Sequence, residues 1–141
     1  MKRVLTTIVS TVLTIGMMQS FSPIATLAAS LGSSGSFKKV EQVTKGQAQI
    51  VKEGNRTYLE LSTDFSTSSN GPDLKVILYT ADRIPLNIKG KQQRYKLGAL
   101  KKYTGKQRYE ISSDVNLAKF QSVGIWCEKF DATFAYAPLT K

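Results

Sequence analysis

The chain has 141 residues, enough for one ordinary domain and too few for a multidomain enzyme, with 20 Lys+Arg against 10 Asp+Glu and no histidine. It holds one cysteine, and its three methionines (Met1, Met17, Met18) all lie within the first eighteen positions. That inventory excludes Ser-His-Asp and Cys-His catalysis, His-ligated zinc and a blue-copper site.

At the amino end, Met1-Lys2-Arg3 leads into an uncharged run from Val4 to Met18, followed by Gln19 to Pro23 and small residues from Ala25 to Ser30. A basic start, an apolar middle and small residues at the end are the order of a secretory signal. The run is about 15 residues and laced with Thr and Ser, short of the ~20 apolar residues of a spanning helix. An uncleaved anchor is the alternative. Cleavage is expected after Ala28, or after Ala29, so residues 1–28 are read as a signal peptide and the product as exported, periplasmic or secreted, without a membrane span. No cysteine follows the run to carry a lipid. Losing Lys2 and Arg3 lowers the net charge from +10 to +8. Residues 29–36, with the aperiodic SLGSSGS, read as a flexible linker, and 37–141 as the folded unit.

Short apolar runs broken by Gly, Pro, Asn and Ser then follow, with no long helical period. Phe37–Val43 and Gln47–Lys52 are expected strands. Glu53-Gly54-Asn55 turns into a strand at Arg56–Leu61, and Thr63–Pro72 is a turn-rich loop. In Leu74–Thr80, Leu74, Val76 and Leu78 share one side and Lys75, Ile77 and Tyr79 the other; apolar residues on both sides place it inside a sheet. A short strand or loop is expected around Arg94–Leu100 and a strand at Gln107–Ile111. Ser112-Ser113-Asp114 is expected to cap one helical turn running to Phe120. Ser122–Cys127 and Ala132–Ala137 close the domain. The expected fold is all-β: one antiparallel sandwich or barrel-like domain.

Gly71-Pro72-Asp73-Leu74 enters the inner strand; Leu97-Gly98-Ala99-Leu100 precedes Gly105-Lys106-Gln107-Arg108-Tyr109. Val115-Asn116-Leu117, Ser122-Val123, Ile125-Trp126-Cys127, Phe130, Phe134 and Ala137-Pro138-Leu139 complete the series. From Phe37 to Leu139 it resembles the DM-thirteen domain, the electron-transfer DM domain also found in Skeletor-like cell-surface proteins. The resemblance implies a β-sandwich with a family cysteine, here Cys127, acting in redox chemistry as a bare thiol or through a prosthetic group such as haem. Gly71, Pro72, Asp73, Tyr109, Trp126 and Phe130 are the other matching positions. Family members often carry a histidine shortly before the early glycine; this chain has Gln42 near that place.

Cys127 is either a small core hydrophobe or a working thiol. On an extended strand it shares a face with Val123 and Ile125, opposite Trp126. Lys129, two residues along, is expected on its side to supply a positive neighbour, with Trp126 and Phe130 sheltering it. Sulfenic acid formation or a Cys127-linked dimer are uses open to one exported thiol; otherwise a monomer is expected. No cofactor is expected, although a haem on Cys127, a tyrosine or a lysine is chemically allowed. No metal site is expected, since Asp64, Asp73 and Asp82 share no binding loop.

The second candidate is basic. Arg83, Lys89, Lys91, Arg94, Lys96, Lys101, Lys102, Lys106 and Arg108 follow one another with no acid between them. They read as a solvated face or, for Lys89 to Arg108, as a surface for an anionic envelope component or an acidic partner; nucleic acid fits the charge but is not expected, since an exported protein seldom meets it. Trp126, Phe130, Phe134 and Tyr136 are expected in the core. The sequence thus points to an exported redox-associated domain, with a non-catalytic anion-binding or adhesion module as the alternative, and not to a self-sufficient enzyme.

Overall fold

The computed structural model describes Gly16 and residues 29–140, so the expected signal segment lies outside it apart from that glycine. Nine strands follow in chain order: β1 Ala29–Ser36, β2 Lys38–Lys39, β3 Gln47–Glu53, β4 Arg56–Leu61, β5 Leu74–Tyr79, β6 Arg94–Ala99, β7 Gln107–Ile111, β8 Ser122–Cys127 and β9 Ala132–Pro138. They form two antiparallel sheets, β1-β3-β4-β7 and β2-β9-β8-β5-β6. The all-β sandwich expected from strand spacing is what the chain builds.

Alternation decides which residues meet. Ala48 and Ile50 of β3, Leu59 and Leu61 of β4, and Tyr109 and Ile111 of β7 face Leu74, Val76 and Leu78 of β5 and Val123, Ile125 and Cys127 of β8. Burying each such aliphatic side chain stabilises the fold by about 1.5–3 kcal/mol. β5 lies inside its sheet, between β8 and β6. Its second apolar face is covered by the chain itself: Ile84 and Ile88, from the connection after β5, pack with Ile77, Tyr79, Trp126 and Tyr136. No helix among the described residues is long and apolar enough to cross a membrane.

Three expectations are corrected, and one element is added. The stretch expected as a flexible linker is β1, paired with β3 and bridged through Ser34 to Thr140. Its pairing runs through backbone groups, which polar residues supply as well as apolar ones, so hydrophobic period gave no sign of it. Gly35 is required there, because a Cβ would stand 1.7 Å from the Pro138 carbonyl oxygen. The expected strand Phe37–Val43 is only Lys38–Lys39 followed by bends, for a reason that lies in β9 and is given below. The helical turn at Leu117–Lys119 is capped by Asn116, whose side chain accepts from the Ala118 amide at 3.1 Å, and not by the Ser112–Asp114 stretch. Lastly, a short turn at Lys91–Gln93 precedes β6, where no helical signal was read.

Candidate functional site

The two motif segments that carry the family resemblance meet across one ladder. Leu74 of β5 stands opposite Cys127 of β8, and the Asp73 carbonyl accepts the Glu128 amide at 3.0 Å. Gly71 is buried beside them, and a Cβ there would come within 2.6 Å of Leu74 Cδ2 and 2.8 Å of Phe134 Cζ. Pro72 is exposed. The Asp73 carboxylate pairs with Lys75 Nζ at 2.8 Å and holds the Lys75 ammonium above its ordinary range.

Next to this junction β9 carries a bulge. Ile125 pairs with Ala135 and Trp126 with Thr133, so Phe134 is an extra residue on β9. A bulge bends its strand and re-aims side chains. Phe134 turns into the main core beside Cys127, while Tyr136 joins the outer cluster with Trp126. The Phe134 carbonyl is then free to accept three successive amides, from Val40, Glu41 and Gln42, at 3.0, 3.1 and 3.0 Å. Those bonds bend residues 40–42 over the end of the sandwich, which is why the expected strand stops at Lys39.

The bend leaves a cavity of about 280 Å³ whose walls include Glu41, Gln42, Asn70, Gly71, Cys127 and Phe130. Cys127 is only 1% exposed and forms no disulfide. Gln42, at the place where the resemblance suggested an imidazole, lines the same cavity. Lys129 does not line it. β8 ends at Cys127, so strand alternation stops there; Lys129 sits in the following turn, exposed, with its Nζ 5.6 Å from the Phe130 ring centre. Phe130 was expected in the core and is 63% exposed, because it too belongs to the turn. Trp126 lies on the opposite face of the sheet from Cys127, with the Arg94 guanidinium 4.5 Å from its ring centre.

Asp131 holds this turn in place, a role with no signal in the sequence. Its backbone takes φ +47°, the left-handed region that costs most residues energy. One carboxylate oxygen accepts the Trp126 indole N–H at 2.9 Å and the Ile88 amide at 2.8 Å, and its carbonyl accepts the Asn87 side-chain amide at 2.6 Å. The β8–β9 turn is thereby stapled to the segment that covers the outer cluster.

The basic stretch is divided between the two sheets. Arg94 and Lys96 lie on β6 in one sheet and Arg108 on β7 in the other. Acids remote in sequence neutralise several of these cations: Lys96 pairs with Glu128 at 2.7 Å, Lys106 with Glu60 at 3.2 Å, and Arg108 with Glu53 at 2.9 Å and Glu60 at 2.8 Å. Glu53 and Glu60 hold the Arg108 guanidinium above its ordinary range, and its charge lies 4.8 Å from the Tyr58 ring centre. The Lys101 ammonium reaches the Arg108 carbonyl and the face of Tyr109. Lys89, Lys91 and Lys102 are exposed and make no ion pair among the described residues. Tyr109 serves architecture: its hydroxyl accepts the Lys101 amide at 2.9 Å and donates to Gln107 at 2.7 Å, and burial pushes its phenol up against the opposing effect of the Lys101 bond.

One of these pairs has a pH signature. Burial pushes the Glu60 carboxyl up, and the bonds from Arg108 and Lys106 together outweigh it, so the group sits below its ordinary value of 4.5. The unfolded chain therefore takes up this proton at higher pH than the folded one. The stabilisation is complete above 4.5 and is lost as pH falls through the folded value. Glu60→Gln is expected to flatten the drop in urea midpoint between about pH 5 and pH 3; an unchanged drop would show that this pair contributes nothing.

Asp64, Asp73 and Asp82 go to separate places: Asp64 accepts from Ser62 at 2.5 Å, Asp73 pairs with Lys75, and Asp82 lines a different cavity. Compared with known proteins, the chain matches no curated protein and no solved structure. The sequence model of a family described as Electron transfer DM13 matches residues 36–139, the whole of the sandwich after β1, and the chain belongs to that redox-associated family.

Proposed function

We propose that the protein is an exported, redox-associated domain whose working group is the Cys127 thiol, serving as a module and not as a self-sufficient enzyme. The observation that carries the reading is that the cysteine of an electron-transfer family stands in the wall of a small cavity, beside Gln42, Gly71 and Phe130. Export rests on the order of residues 1–28, with the folded product beginning near Ala29.

A space of about 280 Å³ suits a reagent of a few heavy atoms. A disulfide needs Cα atoms about 4.4–6.8 Å apart, and the positions facing Cys127 are taken by its ladder partners Leu74 and Ala132. The proposed form is therefore a monomer; a Cys127-linked dimer requires the sheet to open. A haem is left out of the reading. Pockets for drug-sized ligands span about 300–1,000 Å³, and the cavity falls below even that range for a macrocycle larger than most of them.

The chemistry that remains is two-electron thiol oxidation by a small hydroperoxide. Sulfur takes the terminal oxygen, the O–O bond breaks, and the alcohol or water leaves with the thiol proton, giving a sulfenic acid. A small external thiol attacks the sulfenic sulfur and displaces water to form a mixed disulfide; a second external thiol then attacks that disulfide, freeing the Cys127 thiol while the two external thiols leave joined as their own disulfide. The cavity brings no cation to the sulfur; its charged wall residue is Glu41. An anion-binding role for Lys89 to Arg108 is disfavoured, because Lys96, Lys106 and Arg108 already have acidic partners.

Thiol labelling of the native protein tests the reading. Methyl methanethiosulfonate is expected to modify Cys127 without denaturant, and the bulky aromatic disulfide used in Ellman's assay to react at least about tenfold more slowly, a difference of about 1.4 kcal/mol in access. Modification by either reagent only after unfolding would remove the redox role.

A further inference from the structure

A cavity of about 580 Å³ lies at the end of the sandwich away from Cys127. Gln121, just before β8, and Leu139, just after β9, are both in its wall, whereas Cys127 is the last residue of β8. Its apolar lining comes from Ile50 at the floor (2% exposed) and from Leu117, Phe120 and Leu139, all packed against the main core. The volume falls within the range of about 300–1,000 Å³ found for small-molecule sites, which are apolar with a few convergent polar groups.

The polar groups are selective. In a chain with twice as many cations as acids, the carboxylates of Glu41, Asp82 and Asp114 make no ion pair or side-chain hydrogen bond among the described residues. Among the described residues, Asp82 is the one charged residue in the wall of the large cavity. Beside it, Gln121 spends an amide hydrogen on the Thr80 carbonyl at 2.9 Å, which fixes the side chain and leaves its oxygen free to accept. A head group placed here meets a carboxylate and an amide oxygen, so an anion is repelled and a multiple donor is matched. The hollow on the other side of Phe120 has Asp114 but also Lys119 in its wall, and these cancel.

We propose that this cavity binds a small amphiphile with an apolar body and one cationic amine head, the body lying against Ile50, Leu117 and Phe120 and the ammonium at Asp82. The site is independent of the Cys127 chemistry.

The test is a chemical-shift titration of the purified protein with 4-phenylbutylamine and with 4-phenylbutanol, its uncharged counterpart. Saturable binding of the amine is expected, with shifts centred on Leu117 to Gln121. Asp82→Asn is expected to weaken the amine about fivefold, as for a partly exposed ion pair, and to leave the alcohol unchanged. Ala118→Trp, at an exposed position in the cavity wall, is expected to fill the space and weaken both by at least about tenfold. The proposal is overturned if neither probe saturates, if Asp82→Asn leaves the amine unchanged, or if a folded Ala118→Trp protein binds as before. Should that variant fail to fold, the amine-to-alcohol comparison in Asp82→Asn decides alone.

Discussion

Asp131→Ala is expected to lower stability by about 2–4 kcal/mol, the largest loss of any single polar substitution considered. The carboxylate takes two N–H groups, the Trp126 indole and the Ile88 backbone amide, from residues that are 3% and 4% exposed. Alanine leaves both donors without a partner in a place water reaches poorly, and each orphaned group costs about 1–3 kcal/mol. It also inherits the left-handed backbone at φ +47° without a short polar side chain to favour it. For a domain of this size the melting temperature should fall by roughly 10 °C or more. Trp126 is the chain's one tryptophan, so its native emission should shift to the red. Asp131→Asn keeps an acceptor and tolerates the backbone, and is expected within about 1 kcal/mol of the parent. If alanine and asparagine prove equally mild, the staple between the β8–β9 turn and the Ile84–Ile88 segment is not what holds Trp126.

Phe130→Ala is expected to speed native labelling of Cys127 by about tenfold, equivalent to about 1.4 kcal/mol in access, while leaving the unfolding midpoint nearly unchanged. Phe130 forms part of the cavity wall yet is 63% exposed, so truncating it widens the approach to the sulfur and removes little packing. Surface changes of this kind stay within about 0.5 kcal/mol. The combination separates two routes to the thiol. If reagent enters through the cavity, the rate follows the wall; if it enters only when the sheet opens, the rate follows stability. A labelling rate equal to that of the parent at equal stability would mean that the cavity is not the route.

The two substitutions lie in the same four-residue turn, where reading the chain as a strand failed. Alternation correctly placed Val123, Ile125 and Cys127 together and Trp126 opposite, because β8 is a regular strand through Cys127. Extending the same alternation put Lys129 beside the sulfur and Phe130 in the core, and both are exposed. The period-2 rule carries no information about the residue at which a strand ends. Glu128-Lys129-Phe130-Asp131 has no glycine or proline to announce a turn; what makes it one is the left-handed Asp131, held by Trp126 and Ile88. The charge balance of the basic stretch was likewise only partly legible. Nine cations without an intervening acid look like a charged face, yet Glu53, Glu60 and Glu128 reach several of them across ladders, some about fifty residues away in sequence.

By itself the sequence determined the all-β class, six of the nine strands close to their bounds, the double-sided burial of β5, the side of the sheet on which Cys127 lies, and the pair of motifs that mark the family. Each of these is a local property, written in a two-residue period or in a short run of fixed spacing. Tertiary structure alone decided that Gly35 seats β1, that the bulge at Phe134 bends Glu41 and Gln42 over Cys127, that Asp82 stands unpaired at an apolar cavity, and that the cations are shared between two sheets. Those outcomes depend on the register between segments far apart in the chain. A one-residue slip in register sends every side chain of a strand to the other face while leaving the residue order untouched.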